Sequence, residues 1–527
     1  MNLSTNDDRP RRGWFWGLLV LAISFRLVSW SGREAIQTDS VSYISPGINL
    51  FRGEGLVDTS GHVLVSKPPL YSLLIGMAWK VLGDGDLAAR LISFLAGLGT
   101  VALVFFLARR LYSNRVGIFA MAFAVIYPGL VNASTAALAE SLALFFLLAG
   151  TLGLLNVIER WSVQSAVVSA LFFSLAAWTR SNAVLIAAAA IPVLLSFLLA
   201  RGTDSVGKIL KPTFAFILIG LIALLPLLAW NRHHTGKWTL NPESSAWLKV
   251  MVESESGNRL KMEESLGEIG SRSKSDVRAS EVILENPARF LEHTLRNAYT
   301  FYKETFPTEI TPLIVFLAGV GFLLRPNRGY SSLAVFLPFF LPLPLWMMMR
   351  GGEPRDVIPL IPAFLILAGA GAARLWEWGV EVDRNASVFG RVVAAGLILL
   401  TLLFCIPGSL RFQLGNQGQE VEHRLMGEWI KEHYPRDERT VLTRKPMVAY
   451  YADGKSQSIV MGSLDDLRQH AMKCEAKFLA VDSRTTAKVY PQYAELLNSD
   501  SAPDWLRFSH EVEAPDGERM VLYEIVR

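Results

Sequence analysis

The sequence predicts a polytopic all-α membrane bundle of about eleven transmembrane helices, followed by a small C-terminal α/β domain on the outer side. Three observations lead there. Of 527 residues 51% are hydrophobic and the mean hydropathy is +0.32, too apolar a balance for a soluble chain with so many long apolar runs. Several of those runs reach the roughly 17–25 residues that cross a hydrocarbon core of about 30 Å. Past residue 410 they stop, and short stretches of helical and β-type spacing take over.

The spans fall at 13–31, 87–108, 116–131, 136–157, 162–178, 183–200, 212–230, 309–324, 331–349, 357–373 and 391–409. The first follows Arg9, Arg11 and Arg12 and lacks a small-residue cleavage site, so it reads as an uncleaved span. Basic residues favour cytoplasmic loops, and this sets the orientation. With the N-terminus cytoplasmic, the inner loops hold Arg109, Arg110 and Arg115; Arg160; Arg201, Lys208 and Lys211; Arg325 and Arg328; and Arg374, Arg384 and Arg391. An odd number of spans then puts the C-terminus outside. The chain divides into a membrane domain, 1–410, with outer loops 32–86 and 231–308, and an extracytoplasmic domain, 411–527.

The first outer loop carries Asp39 near its start and Lys67-Pro68-Pro69 near its end, and reads as a reactive lip from Gln37 to Tyr71. Pro68 restricts the backbone of Lys67 to extended forms and so fixes where the lysine points. Pro69–Leu82 is apolar but too short to span. A helix in the interface suits it, with Trp79 and Lys80 at headgroup level. The second loop holds a turn at Thr235-Gly236 and a helix over Pro287–Phe301. In the tail, Val421–His433 and Leu464–Ala471 have helical spacing, and Thr440–Thr443 and Phe478–Val481 are short β-type runs. Pro515-Asp516-Gly517 joins Phe508–Val512 to Met520–Val526 as a hairpin.

Composition narrows the function. Cys405 lies in an apolar run and Cys474 in a polar one, which makes no disulfide framework. A net charge of +4 is small and implies no nucleic-acid partner; its placement matters more than its sum. The tail has no metal-ligand spacing, phosphate loop or catalytic triad, and the chain shows no internal repeat.

The charges at span ends outside the inner loops gather on the outer face. They are Asp39, Lys67, Glu140 in ALAESLALFF, Arg180 in AAWTRSNAVL, Arg232, and Arg350, Glu353 and Arg355 in MMMRGGEPRDVIP. Several have a plain alternative. Asp39 in isolation is a solvated cap, and Arg180 an interfacial anchor that snorkels. His62, His233 and His234 read as loop histidines, since no second ligand cluster supports a metal site. Glu140 is harder to set aside, because an acid at the edge of an apolar span is costly unless paired or facing water.

Taken in order, the motifs carry a resemblance. Asp39-Ser40-Val41-Ser42-Tyr43 sits in the first outer loop. Lys67-Pro68-Pro69-Leu70-Tyr71 precedes an interfacial helix ending Val81-Leu82-Gly83, and Ala89-Arg90-Leu91 follows. Ala139-Glu140-Ser141, Thr179-Arg180, Trp230-Asn231-Arg232 and Pro354-Arg355 complete the series. The chain resembles the GT-C superfamily of polyprenyl-phosphate-sugar-dependent glycosyltransferases, on the branch of the protein O-mannosyltransferases and the lipid A aminoarabinose transferase. It departs from the pattern at Ser66, where relatives carry a glutamate, and at Asp356, where they often show tyrosine.

The resemblance implies an inverting transferase that moves a monosaccharide from a polyprenyl-phosphate carrier to an envelope acceptor (lipid, glycan or protein). It would act at the outer face of a bacterial inner membrane and without a cofactor. Asp39 would be the base or acceptor aligner and Glu140 the second acid. Lys67, Arg180 and Arg355 would hold the donor phosphate, and Tyr43, His62, Tyr71, Arg232 and Glu353 would contact substrate. The residue types fit that chemistry. A phosphate leaves readily, so cations at the leaving group and one carboxylate at the acceptor hydroxyl suffice, unlike the paired carboxylates of a glycosidase. Two other classes compete: a transporter or flippase of lipid-linked sugars, and a non-catalytic envelope assembly protein. The first often shows internal repeats and mid-membrane charges, which this chain lacks. The second would keep its function without Asp39.

Overall fold

The computed structural model describes residues 12–201, 206–253, 278–324, 326–327, 329–351, 353–386, 388–414 and 419–526. Arg9, Arg11, Arg325 and Arg328, used above for orientation, lie outside them, as does 254–277 of the second outer loop.

The first half of the chain is a run of helices: α1 (Arg12–Ser31), α2 (Thr38–Arg52), α3 (Leu70–Leu82), α4 (Gly85–Leu111), α5 (Asn114–Ile126), α6 (Pro128–Thr135), α7 (Glu140–Arg160), α8 (Val163–Thr179), α9 (Ala183–Arg201) and α10 (Val206–Thr235). Among the described residues, seven helices are long and apolar enough to cross a membrane, or nine spans if two bent pairs each count as one. This is the make-up of a multi-pass membrane protein. Two further apolar helices, Val163–Thr179 and Ala183–Phe197, are shorter.

Proline explains where straight spans were expected and are not found. The expected span 116–131 breaks between α5 and α6, which meet at 58° with Pro128 opening α6. The expected span 309–324 is only Pro312–Phe322, bent by 90° from the helical stretch before it. The expected span 331–349 is met by Ser332–Arg350, long and apolar enough to cross, although it is built of a 3₁₀ turn, Tyr330–Phe336, and two short helices, Leu337–Phe340 and Pro342–Arg350. A proline lacks the N–H that the preceding turn would accept and clashes with it, so each one starts a helix rather than continuing one. The bundle core runs through α4, α5, α7, α8 and the long helix Ile361–Ala386.

The first outer loop differs most from expectation. Its start is not an open lip but α2, with Asp39 in the first turn. Val41, Ile44 and Ile48 recur at helical spacing and are buried, and Gly53 at φ +86° ends the helix. The expected interfacial helix forms α3, with Met77, Val81 and Leu82 exposed on its outer side. The two cross at backbone contact: a Cβ on Gly47 would meet the Ser72 carbonyl oxygen at 2.2 Å, and one on Gly76 would meet the Gly47 oxygen at 2.4 Å. That crossing fixes Asp39, at the head of α2, against Lys67, just ahead of α3.

Near the C-terminus five strands form one sheet: β1 (Thr440–Thr443), β2 (Lys455–Ser458), β3 (Phe478–Asp482), β4 (Leu506–Glu513) and β5 (Arg519–Ile525), in the order β2-β1-β3-β5-β4. β1 runs parallel to β2 and β3, and β5 antiparallel to β3 and β4. Alternate residues face opposite layers. Phe478, Ala480, Met520 and Leu522 pack on Met426 and Ile430 of the helix Val421–His433, while Leu479, Val481, Val521 and Tyr523 pack on Leu467 and Ala471 of Leu464–Lys473. Strand β2 and the helix Met447–Tyr451 were not foreseen. Lys-Ser-Gln-Ser is too polar, and the helix too short, to register as periodic segments.

Candidate active site

Five helix ends converge at one end of the bundle. Asp39 comes from the first turn of α2, Glu140 from the first residue of α7, and Arg180 caps the C-terminus of α8. Arg355 and Asp356 lie in the 3₁₀ turn Pro354–Leu360, and Lys67 precedes α3. Both acids thus sit where a helix dipole favours negative charge. Lys67 Nζ donates to Asp39 Oδ1 at 3.0 Å, and Arg355 Nη1 reaches Oδ2 at 2.6 Å. Arg355 Nε lies 2.5 Å from Glu353 and 3.8 Å from Glu140 Oε1. Arg180 donates through Nη1 to Glu140 and through Nη2 to Asp356 Oδ1, the latter at 2.8 Å. The Asp356 Oδ2 accepts from the Glu353 backbone at 3.1 Å, and Lys67 Nζ stands 4.5 Å over the Tyr43 ring.

Not every valence is filled. Glu140 is 5% exposed, and its Oε2 has no hydrogen-bond partner among the described residues. Asp39 is still 36% exposed despite its two cations. Burial pushes its carboxyl up, but Lys67 and Arg355 outweigh burial and hold it well below the usual carboxylate range. Burial likewise works against the Lys67 ammonium, while Tyr43 and Asp39 hold it above its ordinary value.

Of the residues singled out from the sequence, Asp39, Glu140, Lys67, Arg180, Arg355, Glu353 and Tyr43 come together here. Three do not join them as substrate contacts. His62 is 73% exposed in a turn and faces Asp58 at 3.8 Å. Arg232 is exposed in the last turn of α10. Tyr71 is fully buried, hydrogen-bonded to the Ala89 carbonyl and Ser93 and edge-on to Tyr43, so it packs the site rather than lining it.

Three residues had been given no role. Asp356 takes one arm of Arg180, although the sequence marked it only as a departure from the pattern. Arg350 stacks on Trp346 at 5.2 Å and makes no ion pair among the described residues, unlike Lys67, Arg180 and Arg355. Glu243 lies within the fields of Lys67 and Arg350; burial pushes its carboxyl up although both cations pull it down. Its signal was absent because the cations whose fields reach it, Lys67 and Arg350, lie far from it along the chain. Among the described residues no group of three or more His, Cys, Asp or Glu side chains is arranged to hold a metal.

The sequence model of the dolichyl-phosphate-mannose-protein mannosyltransferase family matches residues 66–230. No curated protein sequence matches the chain. Among solved structures, ArnT from Cupriavidus metallidurans bound to undecaprenyl phosphate superposes with a TM-score of 0.62 at 13% identity, over 97% of this chain and 98% of that one. The Archaeoglobus fulgidus oligosaccharyltransferase in its apo form gives 0.59 at 11%, over 98% and 75%. AglB from the same organism, with an inhibitory peptide and a dolichol-phosphate, gives 0.56 at 12%, over 97% and 74%. The chain therefore has the fold of ArnT and AglB, and it resembles the GT-C glycosyltransferases of the O-mannosyltransferase and aminoarabinose transferase branch.

Proposed function

We propose that the protein is an inverting glycosyltransferase that passes a monosaccharide from a polyprenyl-phosphate carrier to an envelope acceptor. The observation that carries this reading is the placement of Asp39 between Lys67 and Arg355, with Arg350, which makes no ion pair among the described residues, within the field of Arg180 and Asp356 of the same cluster. Similarity to structures that hold undecaprenyl phosphate and dolichol-phosphate supports a lipid-phosphate donor. The proposed layout has about eleven spans in 1–410 and an α/β extracytoplasmic domain in 411–527, in a bacterial inner membrane. The N-terminus is cytoplasmic. Reporter fusions after Arg110 should then behave as cytoplasmic and those after Leu414 as exported; the reverse pattern would put Asp39 on the wrong face.

The mechanism follows from the charges. A carboxylate held far below its ordinary pKa is a poor base. A donor phosphate arriving at Arg350 competes with Asp39 for Lys67 and Arg355, and each cation it draws off restores basicity to Asp39. The acceptor hydroxyl then gives its proton to Asp39 as its oxygen bonds to the sugar C1, and the C1–O bond to phosphate breaks. The cations take up the charge that grows on the leaving phosphate, where exclusion of water strengthens them. Glu140 holds Arg180 and Arg355 in place. Purified protein offered a panel of polyprenyl-phosphate monosaccharides with envelope glycolipids should release polyprenyl phosphate and yield glycosylated product. Movement of intact lipid-linked sugar across a vesicle membrane without release would instead mark a flippase.

A further inference from the structure

Both Asp39 oxygens are turned to cations, yet the side chain remains partly exposed, and Asp39 is among the residues that line a cavity of about 380 Å³. One wall is the start of the first outer segment, with Arg33, Gln37 and Thr38. The opposite wall is Gln419 and Glu420, which lead into the sheet-bearing part of the chain. The cavity is thus shared between the two parts and is built as a rigid seam. Gln419 Nε2 donates to the Gly32 carbonyl at 2.5 Å, and its Oε1 accepts from the Glu34 amide at 2.6 Å. The Ile36 amide donates to the Tyr451 hydroxyl at 2.9 Å, and Arg52 pairs with Asp453 at 2.7 Å. Glu420 pairs with Lys445 through Oε1, and its Oε2 lies 3.5 Å from the Thr38 hydroxyl, one residue from Asp39.

We propose that this cavity is the acceptor subsite and that Glu420, oriented by Lys445, selects a saccharide hydroxyl group as acceptor. The inference rests on the transferase reading and adds the acceptor class to it. The volume is at the small end of the ~300–1,000 Å³ typical of ligand pockets, enough for one polar unit. Among the described residues the lining sets the side chains of Arg33, Gln37, Thr38, Asp39, Gln419 and Glu420 beside the apolar Ala35 and Ile36, a mixed surface that suits the hydroxyls and C–H faces of a sugar ring better than an acyl chain. A carboxylate and a neighbouring hydroxyl can grip two hydroxyls of one sugar ring while a third is presented to Asp39. The larger cleft of about 1110 Å³ between the same two parts does not touch Asp39, so it cannot present the reacting hydroxyl. Glu420 is a positioning residue, since it orients the acceptor and takes no part in bond making.

The test uses the full-length protein in nanodiscs. Saturation-transfer NMR with methyl α-glucoside and methyl α-mannoside reads acceptor binding without any donor. Transfer from undecaprenyl-phosphate mannose to the same glycosides reads acceptor KM and kcat separately. Glu420→Gln, which keeps the size and one acceptor oxygen, should abolish the NMR signal and raise the acceptor KM about tenfold or more, with donor KM and kcat within twofold. Lys445→Met should give a smaller change in the same direction. Glycoside binding that is absent, or unchanged in Glu420→Gln, would overturn the subsite. A Glu420-dependent signal from a serine- and threonine-containing peptide and not from glycosides would overturn the saccharide class. Glu420-dependent glycoside binding with no turnover of any polyprenyl-phosphate sugar would keep the subsite and sink the transferase reading instead.

Discussion

Two of the molecule's networks of arginine and carboxylate, one in the sheet-bearing part and one in the helical bundle, are built differently. In the sheet-bearing part, Glu422 is fully buried and gives both oxygens to Arg484, at 2.7 and 3.3 Å, while Arg484 also reaches Asp516 at 2.7 Å. Nearby, Asp482 accepts from the backbone amides and hydroxyls of Thr485 and Thr486. Those carboxylates are saturated. At the end of the bundle, Glu140 leaves an oxygen unsatisfied, Asp39 stays partly open, and Arg350 carries no acid partner among the described residues. A saturated network resists change and stabilises one arrangement. An unsaturated one retains capacity for a ligand, so open valence rather than charge density marks the site.

The strongest way to break that contrast is Asp39→Asn. General base catalysis is worth about 10²–10⁴-fold, so transfer should fall by that order while thermal unfolding hardly moves and donor binding holds or tightens, since the neutral side chain no longer competes for Lys67 and Arg355. A folded, donor-binding variant that transfers at the normal rate would make the open network ornamental, and Glu140 would be the next acid to try. Lys67→Met and Arg350→Met come next. Each removes a cation and keeps most of the stem, and a lost charge-assisted contact of about 2–4 kcal/mol weakens the donor KM roughly 30- to 1000-fold. Normal donor use by both variants would move the phosphate elsewhere.

Arg484→Met reverses the pattern. It strands the buried Glu422 and should cost about 3 kcal/mol in thermal unfolding of the sheet-bearing part, with donor KM unchanged. Acid sharpens the same point. Burial raises the Glu422 carboxyl, but His423 and Arg484 hold it at about 2, below the unfolded value near 4.3. Its stabilisation is complete above that unfolded value and is lost as pH falls from about 4 towards 2. The smallest effect is kinetic. Asp39 is also held low, so kcat/KM should show no Asp39 limb above about pH 4, and Lys67→Met should move that limb up. An unmoved limb would show that Lys67 does not hold the acid.

Much of the fold was legible because membrane spans and amphipathic segments are written in local periodicity. Val421–His433 and a hairpin of Phe508–Val512 and Met520–Val526, observed as Leu506–Glu513 and Arg519–Ile525, were placed from apolar spacing and a Pro-Asp-Gly turn alone. The membrane helices were recognised by length and then misjudged at Pro128 and Pro312, because hydropathy does not record direction and a bent span is as apolar as a straight one. The helix α2 was hidden for a different reason. Its polar residues and internal Pro46 weaken local propensity, and burial of Val41, Ile44 and Ile48 against α3 overrides them.

The sequence by itself determined which residue types were available at span ends, and hence that Asp39, Lys67, Glu140, Arg180 and Arg355 could share a face. Hydropathy and charge act locally along the chain, so a linear reading can recover them. Pairing was left to the tertiary structure. The closure of Asp356 on Arg180 joins residues 176 positions apart, and Glu420 faces Thr38 across 382. Such contacts arise only when helix crossings such as Gly47 on Gly76 fix the distances, and no pattern along the chain encodes them. The same geometry decided that His62 and Arg232 stay outside and that Arg350 makes no ion pair among the described residues.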